Sequence, residues 1–492
     1  MTEKPKRPDP ALIARRYAAE RRFRIYGITA LALTTAFLLV LLADIVSRSI
    51  PAFTQYHAVL DVAVDPAKVE ASNPAAGDFE GLAKTAWRAQ FPSASSRADR
   101  KQLNNLISNG GGDELRRRVL ADPSLIGKTV TVPVTLSDDA DIYLKGQVTS
   151  VSRAAGQGPL SIRADGENVF LSGQGLGPGA IVLAGGGAFK IPAEGDAAPA
   201  EVIAAPSAAG DVAAGQWQIL SFGVPEADRK LADRPAVWLE MMRDKGNLER
   251  QFAWNLFLNG DSREAELAGI LGSIMGSLMV VFVTILLSLP IGVAAAIYLE
   301  EFAPKNRLTE IIEVNINNLA AVPSIIFGLL GLAVFLGFFG MPRSVPLVGG
   351  IVIALMSLPT IIIASRAAIR AVPPSIREAA LGVGASHQQA VFHHVLPLAM
   401  PGIMTGTILA VASAIGETAP LLLIGMVAFI VDIPTGFLDS ATVLPVQIYL
   451  WSDLPERAFE ARTAAAIVVL LVIMLMLNAL AIYLRKKFER RW

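Results

Sequence analysis

The chain predicts an all-α polytopic membrane protein of six helices, with a large α+β domain inserted between the first and the second. Three observations predict it. The 492 residues are 53% hydrophobic and 17% charged, with a mean hydropathy of +0.48. That is too apolar for an ordinary soluble chain and too charged for one lying wholly in a membrane. Six apolar runs are long enough to cross a bilayer core of about 30 Å as helices. Between the first two runs, from residue 48 to 265, no stretch is long and apolar enough to span.

Residues 1–24 form a basic tail with Lys4, Lys6, Arg7, Arg15, Arg16, Arg21, Arg22 and Arg24. The apolar run that follows, residues 25–47, is too long for the core of a cleaved signal peptide and is expected to stay as a membrane anchor. In the insert, Thr129–Leu136 and Asp141–Val148 alternate apolar and polar residues, as half-buried strands do. Residues 105–120 have helical periodicity interrupted by Gly110, Gly111 and Gly112. Stretches 154–160, 173–187 and 193–215, rich in Gly, Ala and Pro, separate these elements. The glycines of 173–187 lack the strand–helix setting of a phosphate-cradling loop.

Residues 266–488 hold the other five spans, approximately Ile270–Leu299, Leu319–Phe339, Leu347–Ala364, Gly402–Val427 and Ala464–Leu484. Pro290, Pro323, Pro359 and Pro420 lie within or at the ends of these spans, where each removes a backbone donor and favours a kink. Basic residues set the orientation. The tail, Lys305 and Arg307, then Arg366, Arg370 and Arg377, and finally Arg485, Lys486, Lys487, Arg490 and Arg491 fall on one side. The short segments of the other side hold only Arg343, Arg457 and Arg462. Both termini are therefore expected in the cytoplasm and the insert on the opposite face.

Composition excludes several functions. Cysteine is absent, so disulfides, thiolate metal sites and a cysteine nucleophile are out. With four histidines no His-rich metal site is expected. The 43 basic and 43 acidic residues cancel, which gives no global support for a nucleic-acid partner. No GxxxxGK[ST] loop occurs, so this chain does not bind ATP by that device.

One polar interruption among the spans stands out, residues 374–401. Ser375 and Glu378 fit a capping box that would start a short helix. Ala379 and Ala380 leave a small-residue face that a partner surface can approach. Gly382 and Gly384 allow a turn, and a second short helix is expected over Ser386–Val395, ending before Leu396 and Pro397. The two histidines His393 and His394 point about 100° apart on a helix and read as partner-facing surface rather than a metal pair. A second feature is Glu417, an acidic residue in the apolar run Ala414–Leu423, where a carboxylate needs a partner helix or an aqueous path.

Glu378-Ala379-Ala380, then Gly384, then Leu396-Pro397 resembles the coupling motif of ABC importer permeases, although His394 stands where an aliphatic residue is usual. The resemblance implies the type I importer permease fold, with the loop seated in a groove of a separate ATP-hydrolysing subunit that holds ATP and Mg. Ala414–Leu423, with its Gly-Glu-Thr, and Ala321–Gly331 are similar to phosphate-importer permeases of the PstA type. It implies a bacterial inner-membrane phosphate transporter subunit, not an enzyme, without a cofactor of its own. Expected partners are a PstC-like second permease, nucleotide-binding ATPase subunits, a periplasmic phosphate-binding protein and membrane lipid. Candidate coupling residues are Glu378, Ala379, Ala380, Gly384, Leu396 and Pro397; candidate path residues are Ser324, Glu417 and Thr418. Many relatives have an arginine before Gly-Glu-Thr; Ser413 stands there, and the second permease becomes the expected source of such a group. Arg15-Arg16-Tyr17 to Arg24 and Asp122–Gly127 resemble an N-terminal extension of some PstA-type permeases. Two other readings stay open on the residues alone: a permease for sulfate, molybdate or phosphonate, and a membrane-anchored sensor or binding module.

Overall fold

The computed structural model describes residues 10–165, 168–192, 198–206 and 210–488. Lys4, Lys6, Arg7, Arg490 and Arg491 of the basic clusters lie outside the described residues. The first helix, α1 (Pro10–Ser49), runs unbroken from the basic tail through the first apolar stretch. Its 40 residues correspond to about 60 Å, roughly twice a bilayer core, so a good part extends past the apolar zone.

From residue 54 the chain builds the insert. β1 (Thr54–Ala63) is followed by α2 (Phe79–Ala89), α3 (Arg97–Asn104), α4 (Asp113–Ala121), β2 (Thr129–Thr135) and α5 (Asp138–Leu144). Then come β3 (Val151–Ala155), β4 (Leu160–Asp165), β5 (Asn168–Ser172), β6 (Ile181–Ala184), β7 (Gly187–Lys190), β8 (Glu201–Ala204), β9 (Gly210–Val212) and β10 (Gln218–Phe222). α6 (Asp233–Asp244), β11 (Leu248–Phe252) and α7 (Asn255–Leu258) lead back toward the spans. The strands form three sheets, in the orders β11-β1-β2, β3-β10-β6-β7-β8 and β5-β4-β9. In the first, β1 is central and antiparallel to both neighbours, with Val59 opposite Pro133 and His57 opposite Glu249.

Trp87 of α2 and Trp238 of α6 are fully buried with Leu103, Leu115 and Val134 in the main core of the insert. The Trp87 indole N–H donates to the Leu103 carbonyl at 2.9 Å, satisfying the one polar atom it buries. A second core gathers around Trp217, which lies on Gly156 so closely that a Cβ there would overlap the indole.

Several local expectations change. Asp141–Val148 is not a strand but the end of α5 and the turn after it. Asp138, Asp139 and Asp141 sit in the first turn of α5, where carboxylates favour a helix. Gly146, at φ +70°, ends the helix. Residues 105–112 are turn rather than helix, and helical structure resumes only at Asp113. The separator 173–187 contains β6, and 193–215 contains β8 and β9.

The remaining chain is helical: α8 (Leu271–Ile297), α9 (Arg307–Ala320), α10 (Ser324–Leu330), α11 (Pro346–Arg370), α12 (Pro374–Gly382), α13 (His387–Ala390), α14 (Leu396–Gly416), α15 (Ala419–Leu423), α16 (Leu444–Ser452) and α17 (Arg457–Phe488). Among the described residues, five helical stretches are each long and apolar enough to cross a membrane, and a sixth is if the bent pair of α9 and the segment Ser324–Phe338 is taken together. The bend in that pair is 104°, so Leu319–Phe339 is not one straight span. Pro323 caps α10 and blocks continuation from α9. The span expected at Gly402–Val427 is also displaced: a continuous helix runs from His387 to Gly416 and stops there.

Small residues bring the spans together. A Cβ on Gly350 of α11 would overlap Val283 of α8. One on Gly328 would lie 2.7 Å from Pro420 Cα, and one on Gly276 would strike the Thr442 carbonyl. The glycine at 331 faces Val352, whereas Gly272 has nothing closer than 3.7 Å. Thr284 Oγ donates within its own helix to the Val280 carbonyl at 2.8 Å, and the Gly350 carbonyl lies 3.2 Å away across the interface.

Candidate functional site

Two prolines shape the start of the loop between α11 and α14. Pro373 is the N-cap of α12 and Pro374 its first residue, with no side-chain cap hydrogen bond. The Ser375–Glu378 capping box is therefore not made: Ser375 already sits inside the helix, and the cap position has no hydroxyl. Glu378 is left exposed, beside exposed Ala379, while Ala380 turns inward and is buried. Gly384 takes φ +90°, a conformation that disfavours other residues, and reverses the chain.

A capping box does exist one element later. Ser386 Oγ accepts the Gln389 amide at 3.3 Å, and Gln389 Oε1 accepts the Ser386 amide at 2.9 Å. The second helix then fails to end before Leu396-Pro397. A π-turn over Val391–Val395 carries it straight into α14, with Pro397 in the first turn of that continuation. The wider π-turn shifts the donor–acceptor register, so the missing proline amide does not break the helix. His393 and His394 are both exposed on this turn, between buried Val391 and Val395.

The loop is tied by charge to the ends of neighbouring spans. α8 also closes with a π-turn, Tyr298–Phe302, which carries Glu300 and Glu301. Arg377 of α12 grips Glu301 through two nitrogens, Nε at 3.0 Å and Nη2 at 2.6 Å from Oε1. Its guanidinium also donates to the carbonyls of Val372 at 2.8 Å and Ile369 at 2.9 Å. The Glu301 side chain is only 5% exposed. His387 Nε2 lies 2.9 Å from the Glu301 carbonyl, and its ring meets Phe302 edge-on. Next to this clamp, Arg370 makes a two-pronged pair with Glu300 at 2.9 and 3.0 Å. Arg366 bridges Glu300 to Glu313 of α9. These arginines were legible in sequence only as orientation signals; the partner signal was the acidic pair Glu300-Glu301 at a neighbouring span end.

The outward face of the loop is apolar where water would be expected. Val383 is 86% exposed, with Leu381 and Phe392 about half exposed. Together with Glu378 and Ala379 they make a mixed surface held on a rigid base, which sequence reasoning did not single out.

The path candidates lie at two breaks in the bundle. Glu417 is not inside a helix. α14 ends at Gly416, and Glu417 follows in extended conformation at φ −73° and ψ 125°. Pro420 has no amide to give the Gly416 carbonyl, so the helix cannot run through. Thr418 precedes α15, its hydroxyl 3.4 Å from the Gly416 carbonyl. Ser324 opens α10 directly after Pro323. Gly328, one turn beyond Ser324, packs on Pro420, two residues beyond Thr418, so the two breaks are neighbours in space. All three side chains are half-buried.

Residues 288–492 match the family described as "Binding-protein-dependent transport system inner membrane component", and residues 11–154 match a "Domain of unknown function (DUF3333)". The chain is similar to the phosphate transport system permease protein PstA of Mycobacterium leprae, 31% identical over 264 residues, 52% of this chain and 84% of that protein. Similar too is PstA 1 of Mycobacterium tuberculosis (strain CDC 1551 / Oshkosh), 28% identical over 255 residues, 52% of this chain and 83% of that one. Among solved structures, an inward-facing MetNI methionine ABC transporter overlaps 44% of this chain and 95% of its own, with 17% identity and a TM-score of 0.37.

Proposed function

Because this chain belongs to the binding-protein-dependent inner-membrane permeases of the PstA type, we infer that it is the transmembrane permease subunit of an ATP-driven phosphate importer. The observation that carries the mechanism is the loop with exposed Glu378, Ala379 and Val383 held by Arg377–Glu301 at the foot of α8. A rigid base under an unsatisfied apolar and acidic surface suits a docking knob for the ATPase. Force applied there enters α8 through Glu301 and α14 through the unbroken helix from His387. Leu396 and Pro397 lie within that helix and transmit rather than touch. ATP and Mg belong to the partner ATPase.

The second permease is PstC-like, and a periplasmic phosphate-binding protein delivers substrate to the opposite face. The path runs past Ser324, Glu417 and Thr418, where two broken helices leave polar groups half-buried inside the bundle. Glu417 faces a cation of the partner permease in the closed state, since an isolated carboxylate beside phosphate repels it.

The chain makes six crossings, the bent pair α9 and α10 counting as one, with both termini cytoplasmic and the insert periplasmic. Three features support this. Arg485 at the end of α17 donates to Thr405 in the middle of α14 at 3.2 Å, which sets the basic end of α17 against the helix that continues the coupling loop. Arg15–Arg24 occupy the far end of α1 from the insert. Ser47 and Arg48 at the other end of α1 line a cleft with Arg457 and Glu460 at the start of α17.

The test is uptake of labelled phosphate in cells whose own importer subunit is replaced by this chain, with sulfate and molybdate as competitors. Saturable uptake lost in Glu378→Lys and untouched by sulfate or molybdate is expected. Equal competition by sulfate overturns the substrate, and normal uptake with normal ATPase co-purification in Glu378→Lys overturns the coupling role.

A further inference from the structure

The insert does not hang freely from the spans. At its junction with them lies a cavity of about 30 Å³, lined by Thr54, Asp138, Asp141, Lys145, Glu266 and Arg462 among others. Three elements meet there: α5 of the insert, the segment leading into α8, and the first turns of α17. Lys145 pairs with Asp141 and donates to the carbonyls of Pro51 at 2.8 Å and Thr54 at 2.6 Å. Arg462, 6% exposed, donates to the Ala268 carbonyl. Gln55 of β1 donates to the Glu266 backbone carbonyl at 3.3 Å, and Asn109 to the Glu264 carboxylate at 3.1 Å.

Within this tightly bonded junction one group is out of place. Glu266 is 3% exposed, and neither carboxylate oxygen has a hydrogen-bond partner among the described residues. A buried ionised carboxylate without donors is costly, and the cavity has room for about one water. Lys145 and Arg462 on one side balance Asp138 and Asp141 on the other, so an ionised Glu266 adds a surplus negative charge. Further charged groups stand around it: Glu264 on its own segment, His57 on β1 near Asp141, and Arg250 on β11 near Lys145.

We propose that this junction is a proton-operated latch: with Glu266 neutral the insert is locked onto α17 and the lead-in to α8, and ionisation of Glu266 releases it. Burial, with the like charges of Asp138 and Glu264 adding to it, pushes the Glu266 carboxyl up to about 7. Burial and the neighbouring Asp139 also raise Asp138. The sign follows. A carboxyl that binds its proton more tightly in the closed junction than the ordinary value of 4.5 stabilises closure most at acid pH. That stabilisation falls away as pH rises from 4.5 to about 7 and is gone above it. Each pKa unit is a tenfold factor in the closing equilibrium, so the full swing is on the order of 100-fold. The latch does not depend on which anion is carried.

Hydrogen exchange on the assembled transporter in lipid nanodiscs, read as protection factors over 262–270 and 457–463 from about pH 5 to about pH 8, tests it. Wild-type protection should fall on the order of 100-fold across the window and then level off. Glu266→Gln should remove most of the fall and stay near the acid-side protection, and Asp138→Asn should keep most of the slope. Glu266→Asp, which retains the proton site in a shorter side chain, should keep the slope with a displaced midpoint. A flat wild-type profile, an unchanged slope in Glu266→Gln, a slope lost in Asp138→Asn, or an undisplaced midpoint in Glu266→Asp overturns the proposal.

Discussion

Removing Arg377 tests the clamp beneath the coupling loop. In Arg377→Met the aliphatic stem is kept and the guanidinium lost, which leaves Glu301, 5% exposed, without its two charged donors. It also frees the carbonyls of Val372 and Ile369. Breaking one side of a buried ion pair costs about 3–5 kcal/mol. Because the Arg377 side chain is 21% exposed, solvent screens part of this, and ~2–4 kcal/mol is the appropriate range. At ~1.4 kcal/mol per tenfold, amide protection over α12 and α13 should fall ~30-fold to ~1000-fold in the purified assembly. Transport should fall with it while ATP hydrolysis continues, since a loosened knob still docks but no longer moves α8. The double variant Arg377→Met with Glu301→Gln removes the stranded charge and should recover part of the loss, with a coupling of about 1–3 kcal/mol. Unchanged protection in Arg377→Met, or strictly additive losses in the double variant, refutes the clamp.

Other outcomes follow from single contacts. Gly328→Ala should destabilise the bundle by about 1–3 kcal/mol, since its Cβ meets the backbone of Pro420, while Gly382→Ala, with open space, should be neutral; thermal unfolding in detergent compares them. Trp238→Ala empties a fully buried site in the insert and should cost about 3–5 kcal/mol, seen as proteolysis confined to the insert. Glu417→Gln should keep ATPase co-purification and change phosphate uptake; uptake kinetics identical to wild type remove Glu417 from the path. Val383→Asp should abolish ATPase co-purification without lowering membrane levels, because Val383 touches little of its own chain.

Sequence reading succeeded where one local rule acts alone. The alternation at Thr129–Leu136 is β2 over Thr129–Thr135, and the apolar run from Ile270 is α8 from Leu271. It failed where two rules compete. Asp141–Val148 alternates like a strand, but acids at a helix start outweigh alternation over so few residues. Ser375 and Glu378 have capping-box spacing, yet two prolines had already begun the helix. Glu417 reads as helical by hydropathy, whereas Pro420 ends the helix before it. Long-range partners were least legible. Nothing local connects Glu301 with Arg377 or Glu266 with α17, because each pairing is made by the packing of spans far apart in the chain.

The two ends of α8 are held by different machinery, and this joins the insert to the transport stroke. Its lead-in, Glu264–Ala268, is bonded to the insert through Gln55 and Asn109, and to α17 through Arg462. Its last turn, Tyr298–Phe302, is bonded to the coupling loop through Arg377 and His387. Between them run 27 helical residues, about 40 Å, stiffened by close packing of Val283 on Gly350. A rigid rod clamped at both ends carries displacement from one clamp to the other, because packed helices shift as units rather than deform. A tight junction therefore ties any shift of α8 to the contacts of the whole insert, and a released junction lets α8 move alone. On that reasoning the insert acts on the stroke through the contacts around Glu266 and Arg462.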